Sequence, residues 1–180
     1  MSLAQCEQIA SIARDVATAA ALIFGAVWSY KLFIQHRQQY PRASLQHTIK
    51  HWRIGQGKTL LHVDVIVSNV GDVLISLEEG RTTVEQVLPL PAHMAGRLEA
   101  GQDLLEEGEY EVPWEVIGEA KYHWQTGGCE IEPSETQGIE NDFILDESVS
   151  TVQVYTYLRN ETKRPRKLTW DLTTLYDIAD

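Results

Sequence analysis

Residues 59–68, TLLHVDVIVS, carry the clearest structural pattern in the chain. The apolar residues at positions 61, 63, 65 and 67 alternate with the residues at positions 62, 64, 66 and 68. Strict alternation is typical of a β-strand that turns one face toward a core, because successive side chains of a strand point to opposite faces. Turn signals bracket the segment, GQG at 55–57 and NVGD at 69–72. The sequence therefore predicts a half-buried strand between two turns.

The same kind of pattern continues on both sides of this strand. Further strands are predicted over 45–54, 73–77, 82–88, 110–117, 120–124, 129–132, 139–145, 149–159 and 168–178. Residues 92–109 have no firm period and predict a long loop or a short helix. Many short strands separated by turn residues are typical of an antiparallel β-sandwich. We expect one mainly β domain over residues 44–180.

Three segments of this domain carry a resemblance to a known family: 63–72 VDVIVSNVGD, 131–143 IEPSETQGIENDF and 152–160 VQVYTYLRN. They resemble Ig-like sandwiches of the CARDB and FxLYD kind found in bacterial envelope proteins. In that family a strand ends in an Asn-x-Gly turn, and a later I-x-P-x-E turn leads into another strand. Ser134 stands where that family usually has Gly. The resemblance implies an Ig-like fold that binds or spaces other proteins, with no catalytic residue to carry over.

Residues 16–34, VATAAALIFGAVWSYKLFI, form the longest apolar run. A helix needs roughly 20 mostly apolar residues to cross a bilayer. Lys31 lies near one end, where its stem can reach the headgroups, together with Trp28 and Tyr30 as interfacial aromatics. The alternative is a buried helix of a soluble bundle, but no second helix of similar character is predicted. We expect an N-terminal tail (1–15), a transmembrane helix (16–34), a juxtamembrane stalk (35–43) and the sandwich (44–180).

The basic residues that follow the apolar run predict its orientation. Between positions 31 and 58 there are six Lys or Arg residues and no acidic one, whereas the tail holds Glu7, Arg14 and Asp15. An excess of Lys and Arg marks the cytoplasmic flank of a membrane helix. The sequence therefore predicts a single-pass inner-membrane protein with its N-terminus outside and its sandwich in the cytoplasm.

Four small residues recur at every fourth position of the apolar run: Ala17, Ala21, Gly25 and Ser29. On a helix they form one stripe, which allows two helix backbones to approach closely in lipid. One interpretation is helix–helix association, in a homo-oligomer or with a partner protein. The other is chance in an alanine-rich segment.

The charge of the chain is unevenly distributed. Residues 59–180 contain 24 acidic and 8 basic side chains. So acidic a domain repels a nucleic-acid backbone, and we expect no DNA or RNA partner. The two cysteines, Cys6 and Cys129, flank the predicted span and are not expected to pair, as in a reducing compartment.

Candidate chemical motifs have plainer interpretations. GQGKT at 55–59 lacks the spacing of a phosphate-binding loop, and we expect a hairpin turn. The acidic residues of 106–119 lack the pattern of a calcium loop, which favours a solvated face.

Lys163, Arg164, Arg166 and Lys167 form a basic loop that either balances local charge or contacts an acidic partner or lipid headgroups. Strands 149–159 and 168–178 are partly apolar on both faces, so one of them is a candidate to present a second face to a partner.

These observations point away from catalysis. No catalytic, cofactor-binding or metal-binding residue set is expected. We predict a non-enzymatic, membrane-anchored interaction or scaffold module whose partners are the bilayer and either a soluble protein or further copies through the helix. The alternative is an oligomeric membrane effector whose sandwich senses a signal and alters the packing of the helices.

Overall fold

The computed structural model describes residues 3–32, 40–105, 112–161 and 168–178, without the side chains of residues 3–11 and 13. The chain divides into two compact units, Met1–Pro41 and Arg42–Asp180. The first unit contains helix α1, Leu3–Tyr30, which begins within the predicted N-terminal tail. The second unit contains eight strands and the short helix α2, Ala92–Glu99.

Within the described residues, no helix is long and apolar enough to cross a membrane. The transmembrane helix predicted for residues 16–34 is therefore not confirmed. α1 covers the first part of that segment, and Phe33 and Ile34 lie outside the described residues.

The second unit is built from two antiparallel sheets. The first sheet has the order β1-β2-β6: β1 is Ala43–Gly55, β2 is Lys58–Asn69 and β6 is Thr136–Asp146. The second sheet has the order β4-β3-β7-β8, and β5 also pairs with β3. Its strands are β3 (Ile75–Leu88), β4 (Glu115–His123), β5 (Glu130–Ile131), β7 (Thr151–Asn160) and β8 (Leu168–Asp177). The prediction of a mainly β, antiparallel domain is confirmed, and the arrangement is consistent with a β-sandwich.

The core lies between the inner faces of the two sheets. The alternation in β2 buries Leu61, Val63, Val65 and Val67, each 0% exposed. Val84, Val152, Val154 and Leu158 pack into the same cluster from β3 and β7. At roughly 1.5–3 kcal/mol for each fully buried side chain, this contact between the sheets is the main stabilising term of the domain.

A buried asparagine, Asn69, fixes the end of β2. Asn69 donates from Nδ2 to the carbonyl oxygens of Val73 and Ile131, and its Oδ1 accepts from the amide of Gly71. The backbone of the same residue bonds to Glu135 and Ser134. The Asn-x-Gly turn and the I-x-P-x-E turn quoted above therefore meet at one corner of the domain.

Two strands are longer than predicted. Residues 73–77 and 82–88, with a predicted turn at 78–81, form the single strand β3. Residues 110–117 and 120–124 were predicted as two strands, whereas β4 is one strand that begins only at Glu115; residues 112–114 are not in it, and residues 110 and 111 lie outside the described part. The glycine in each predicted break serves close packing and not a turn. A Cβ on Gly80 would lie 2.8 Å from Leu158, and one on Gly118 would lie 2.8 Å from Phe143.

The hairpin prediction for residues 55–57 is confirmed. Gly55 pairs with Lys58, and Gln56 and Gly57 have φ angles of 55° and 69°. Two positive φ angles in a two-residue loop match the twist of antiparallel strands and not the cradle of a phosphate loop.

Candidate functional site

A groove of about 380 Å³ lies on the outer face of the five-stranded sheet. Its lining residues are Glu79, Gly80 and Arg81 of β3, Lys121 and His123 of β4, and Tyr155 and Tyr157 of β7. The volume is at the lower end of the range of ligand pockets in proteins. The groove is therefore large enough for a small ligand or for the side chains of a few residues.

Strand register brings these side chains together. Arg81 lies directly opposite Lys121 on one side and Tyr157 on the other. Two residues along, Glu79 lies opposite His123 and Arg159 in the same way. Because residues two apart share a face of the sheet, the two rows form one continuous surface.

The acidic end of the groove is neutralised within the sheet. The guanidinium of Arg159 bonds from Nε to Glu78 Oε2 at 3.2 Å and from a second nitrogen to Glu79 Oε2. Desolvation opposes the charge of Arg159, but these two carboxylates outweigh it and raise the pKa of the guanidinium. Glu79 is therefore occupied by its neighbour.

The basic end has fewer carboxylates than cations. Lys121 Nζ lies 2.9 Å from Glu119 Oε2, and Arg81 Nη1 lies 3.9 Å from Glu119 Oε1. Among the described residues, Glu119 is the only carboxylate that forms an ion pair with either cation. Two cations thus share one acidic partner, and both remain about half exposed to solvent, at 48% and 60%.

This face collects most of the positive charge of its region. Residues 59–161 contain 21 acidic side chains and four basic ones, Arg81, Arg97, Lys121 and Arg159. Three of the four lie on the outer face of the five-stranded sheet, and Arg97 lies in α2. Most of the few cations of this acidic region therefore lie on one face of the sheet.

The groove also has aromatic walls. Tyr155 and Tyr157 are half-buried and lie on the same face of β7. Tyrosine and arginine are enriched among the residues that dominate binding at protein interfaces. Strands 149–159 and 168–178 were the two sequence-based candidates to present a second face to a partner, and the outer face of the first carries these two tyrosines.

A second cavity of about 310 Å³ opens between β4–β5 and β6. The rings of Tyr122 and Trp124 stack there with centroids 5.3 Å apart, beside the thiol of Cys129. Burial raises the pKa of the Cys129 thiol, which disfavours the reactive thiolate. Among the residues that the structure describes, no three His, Cys, Asp or Glu side chains converge to hold a metal ion.

The sites predicted from sequence lie elsewhere. The stripe of Ala17, Ala21, Gly25 and Ser29 lies on α1, where all four are exposed and a Cβ on Gly25 would meet nothing within 4 Å. Lys163, Arg164, Arg166 and Lys167 lie outside the described residues.

The acidic stretch 106–119 is described only at its end. Glu115 lies 3.9 Å from His93, and Glu119 pairs with Lys121 and Arg81 of the groove. The acids at 106, 107, 109 and 111 lie outside the described residues. Sequence reasoning missed the groove because its cations come from strands far apart in the chain.

No family model matches the chain, and no curated protein matches it. Several solved structures are similar at low identity, among them the following three. A structural-genomics target called SoR45 has 10% identity and a TM-score of 0.49, with 76% of this chain and 85% of that one covered. A protein from Bordetella pertussis described as ApaA has 10% identity and a TM-score of 0.49, covering 76% and 94%. A protein described as late embryogenesis abundant has 12% identity and a TM-score of 0.46, covering 92% and 87%.

Proposed function

We propose that the chain is a membrane-tethered, non-enzymatic interaction module that recruits a soluble protein through the outer face of its five-stranded sheet. The observation that carries the proposal is the groove of Arg81, Lys121, Tyr155 and Tyr157, a basic and aromatic surface on an acidic domain. Charge that complements a partner speeds association and suppresses wrong partners, and the rings supply apolar contact area.

The tether is proposed from the first unit. Large apolar side chains of α1 are exposed, among them Leu22 at 70%, Ile23 at 66% and Phe24 at 69%. Exposed apolar surface of this kind marks a site that contacts a membrane or another protein. The proposed span is the apolar run 16–34, and the basic residues beyond it keep the sandwich on the cytoplasmic side of the inner membrane.

The Ig-like assignment of the sandwich belongs to the same proposal. Its support is the corner at which Asn69 bonds to the turn that contains Ile131 and Glu135. The two motifs that resemble the CARDB and FxLYD kind are thus joined by hydrogen bonds. Domains of that kind bind or space other proteins.

The test compares proteins that are crosslinked in cells to the full-length chain and to two variants. Arg81→Glu with Lys121→Glu reverses both cations of the groove, whereas Arg97→Glu changes the one basic residue of residues 59–161 that lies off this face. We expect at least one soluble protein to be captured by the wild type and by Arg97→Glu, and to be lost from the double variant. Identical sets from all three chains would contradict recruitment through this face.

A second candidate function follows from the exposed stripe on α1. If Ala21 and Gly25 pack against another helix, the chain is an oligomeric effector and the sandwich acts on that packing. Replacing both residues with Leu would then reduce the oligomer size seen by crosslinking in membranes. Unchanged oligomers would remove this candidate and leave the recruitment proposal untouched.

A further inference from the structure

We infer that the groove recognises a partner segment that presents one Asp or Glu carboxylate beside an apolar or aromatic side chain. The inference rests on the proposed recruiting role and names the chemistry of the partner. The carboxylate binds between Arg81 and Lys121, and the neighbouring side chain packs against Tyr155 and Tyr157.

The first argument is the shortage of negative charge between β3 and β4. Like charges directly opposite each other in a sheet are destabilising, and Arg81 and Lys121 are direct cross-strand partners. Glu119 lies at 2.9 Å from Lys121 but at 3.9 Å from Arg81, so it leaves the guanidinium weakly paired. A second carboxylate, supplied by a ligand, would give two cations and two anions.

The second argument is geometric. The guanidinium of Arg81 has a planar fork of donors that matches the two oxygens of a carboxylate. Tyr157 lies directly opposite Arg81, and Tyr155 lies two residues away on the same face, beside Thr83. The space of about 380 Å³ exceeds what one carboxylate fills, which leaves room for an adjacent side chain against the rings.

The third argument limits the charge of the ligand. Around the groove the sheet carries Glu78, Glu79 and Glu85, and the region as a whole has far more acidic than basic residues. A nucleic acid or an anionic bilayer presents many charges over a wide surface, so most of them would face these carboxylates. Asp171 of β8 also lies opposite Tyr157. A segment with one carboxylate and apolar flanks places its single charge at the two cations.

The probe is an array of immobilised seven-residue peptides, incubated with the tagged full-length chain in a non-ionic detergent. One series places a single Glu between Leu or Phe neighbours, a second replaces Glu with Gln, and a third is uniformly Glu. We expect the single-Glu peptides with apolar neighbours to bind best, and the Gln series to bind at least about tenfold less, as for loss of a charged partner. Equal binding of the Glu and Gln series would overturn the inference.

Four variants assign the binding to the groove. Arg81→Glu with Lys121→Glu should abolish binding of the single-Glu peptides, and Arg97→Glu should leave it unchanged. Glu119→Gln should strengthen binding several-fold, because it removes the internal competitor for both cations. Tyr155→Ala with Tyr157→Ala should weaken binding to the Leu- and Phe-flanked peptides. If Glu119→Gln weakens or does not change binding, the shared-carboxylate argument is wrong.

Further measurements distinguish failure of the inferred carboxylate recognition from failure of the proposed recruitment. Phosphatidylglycerol vesicles that bind the wild type but not the double charge variant would overturn the peptide inference in favour of lipid headgroups. If the Gln series binds as well as the Glu series while the variants still lose a crosslinked protein in cells, recruitment through this face stands and its carboxylate chemistry is wrong. If the Glu and Gln peptides bind equally and the variants capture the same proteins in cells as the wild type, both proposals are wrong.

Discussion

His47 joins the two sheets through its side chain. Its Nδ1 lies 2.9 Å from the hydroxyl of Thr174, and its Nε2 lies 2.9 Å from the hydroxyl of Thr156. Thr156 in turn lies 3.1 Å from Thr82, so a polar chain runs from β1 through β7 to β3. Burial lowers the pKa of His47, because desolvation disfavours the charged imidazolium.

This lowered pKa predicts how stability depends on pH. The unfolded chain keeps a pKa near the ordinary value of 6.5, so below that pH it binds more protons than the folded chain. Stability therefore rises with pH through the window between the lowered folded pKa and 6.5, and is lost as the pH falls through it. The free energy of unfolding should be smaller at about pH 5.5 than at about pH 7.5.

Replacement of the imidazole separates this contribution from those of other groups. His47→Gln keeps a hydrogen-bonding side chain without a titratable ring, so the stability difference between the two pH values should shrink. His93→Gln, at an exposed position, serves as the matched control. The free energy of unfolding at the two pH values is measured by urea unfolding. If the difference between them is as large in His47→Gln as in the wild type, His47 is not the cause of the pH dependence.

At the scale of elements, β3 is the strand on which the large sheet is built, because it pairs with β4, β5 and β7. Gly80 in its middle lies against the core, where a Cβ would be 2.8 Å from Leu158 and 3.0 Å from the Trp124 ring. Gly80→Ala should destabilise the domain by roughly 1–3 kcal/mol, as overpacking of a core does. The same change should shift the fluorescence of Trp124 as its ring is displaced.

A second glycine provides the control for this prediction. A Cβ on Gly96 in α2 would meet nothing within 4 Å, so Gly96→Ala adds only helix propensity. It should stabilise by at most about 1 kcal/mol. Equal effects of the two substitutions on urea unfolding would contradict the close packing at Gly80.

The contrast between these glycines explains which elements could be predicted. Alternation in residues 59–68 shows one apolar face, and β2 forms there as expected. EEGR at 78–81 has turn composition, yet the strand continues because Arg159 binds both glutamates and Gly80 admits the Trp124 ring. These contacts involve residues about 40 to 80 positions away, so no local pattern contains them.

The same limit applies to the groove. The alternation of Tyr155 and Tyr157 with their neighbours along β7 can be read from the sequence, and those neighbours are buried in the structure. The pairing of Arg81 with Lys121 depends on the β3–β4 register, which a bulge shifts between Val84 and Glu85. A register one residue different would place one of these cations on the core face.

At the scale of the whole molecule, charge is divided along the chain. Residues 31–58 carry six basic and no acidic side chains, whereas residues 59–161 carry 21 acidic and four basic ones. In the proposed arrangement, the basic residues before β1 meet the anionic cytoplasmic leaflet and the acidic domain is repelled from it. Within residues 59–161, this division leaves the basic face of the large sheet as the main attractive region for an anionic segment of a soluble protein.

The orientation of the chain follows from the same division and can be measured directly. Full-length chains fused after Asp180 to a fluorescent protein or to alkaline phosphatase should give fluorescent cells and no phosphatase activity, because the Lys/Arg-rich flank stays in the cytoplasm. Replacing Lys31, Arg37 and Arg42 with Glu removes that bias and should raise phosphatase activity. The matched control, Lys50→Glu with Lys58→Glu within the sandwich, should do so less. Phosphatase activity in the wild type would contradict the cytoplasmic placement, and the partner of the groove would then be sought in the envelope.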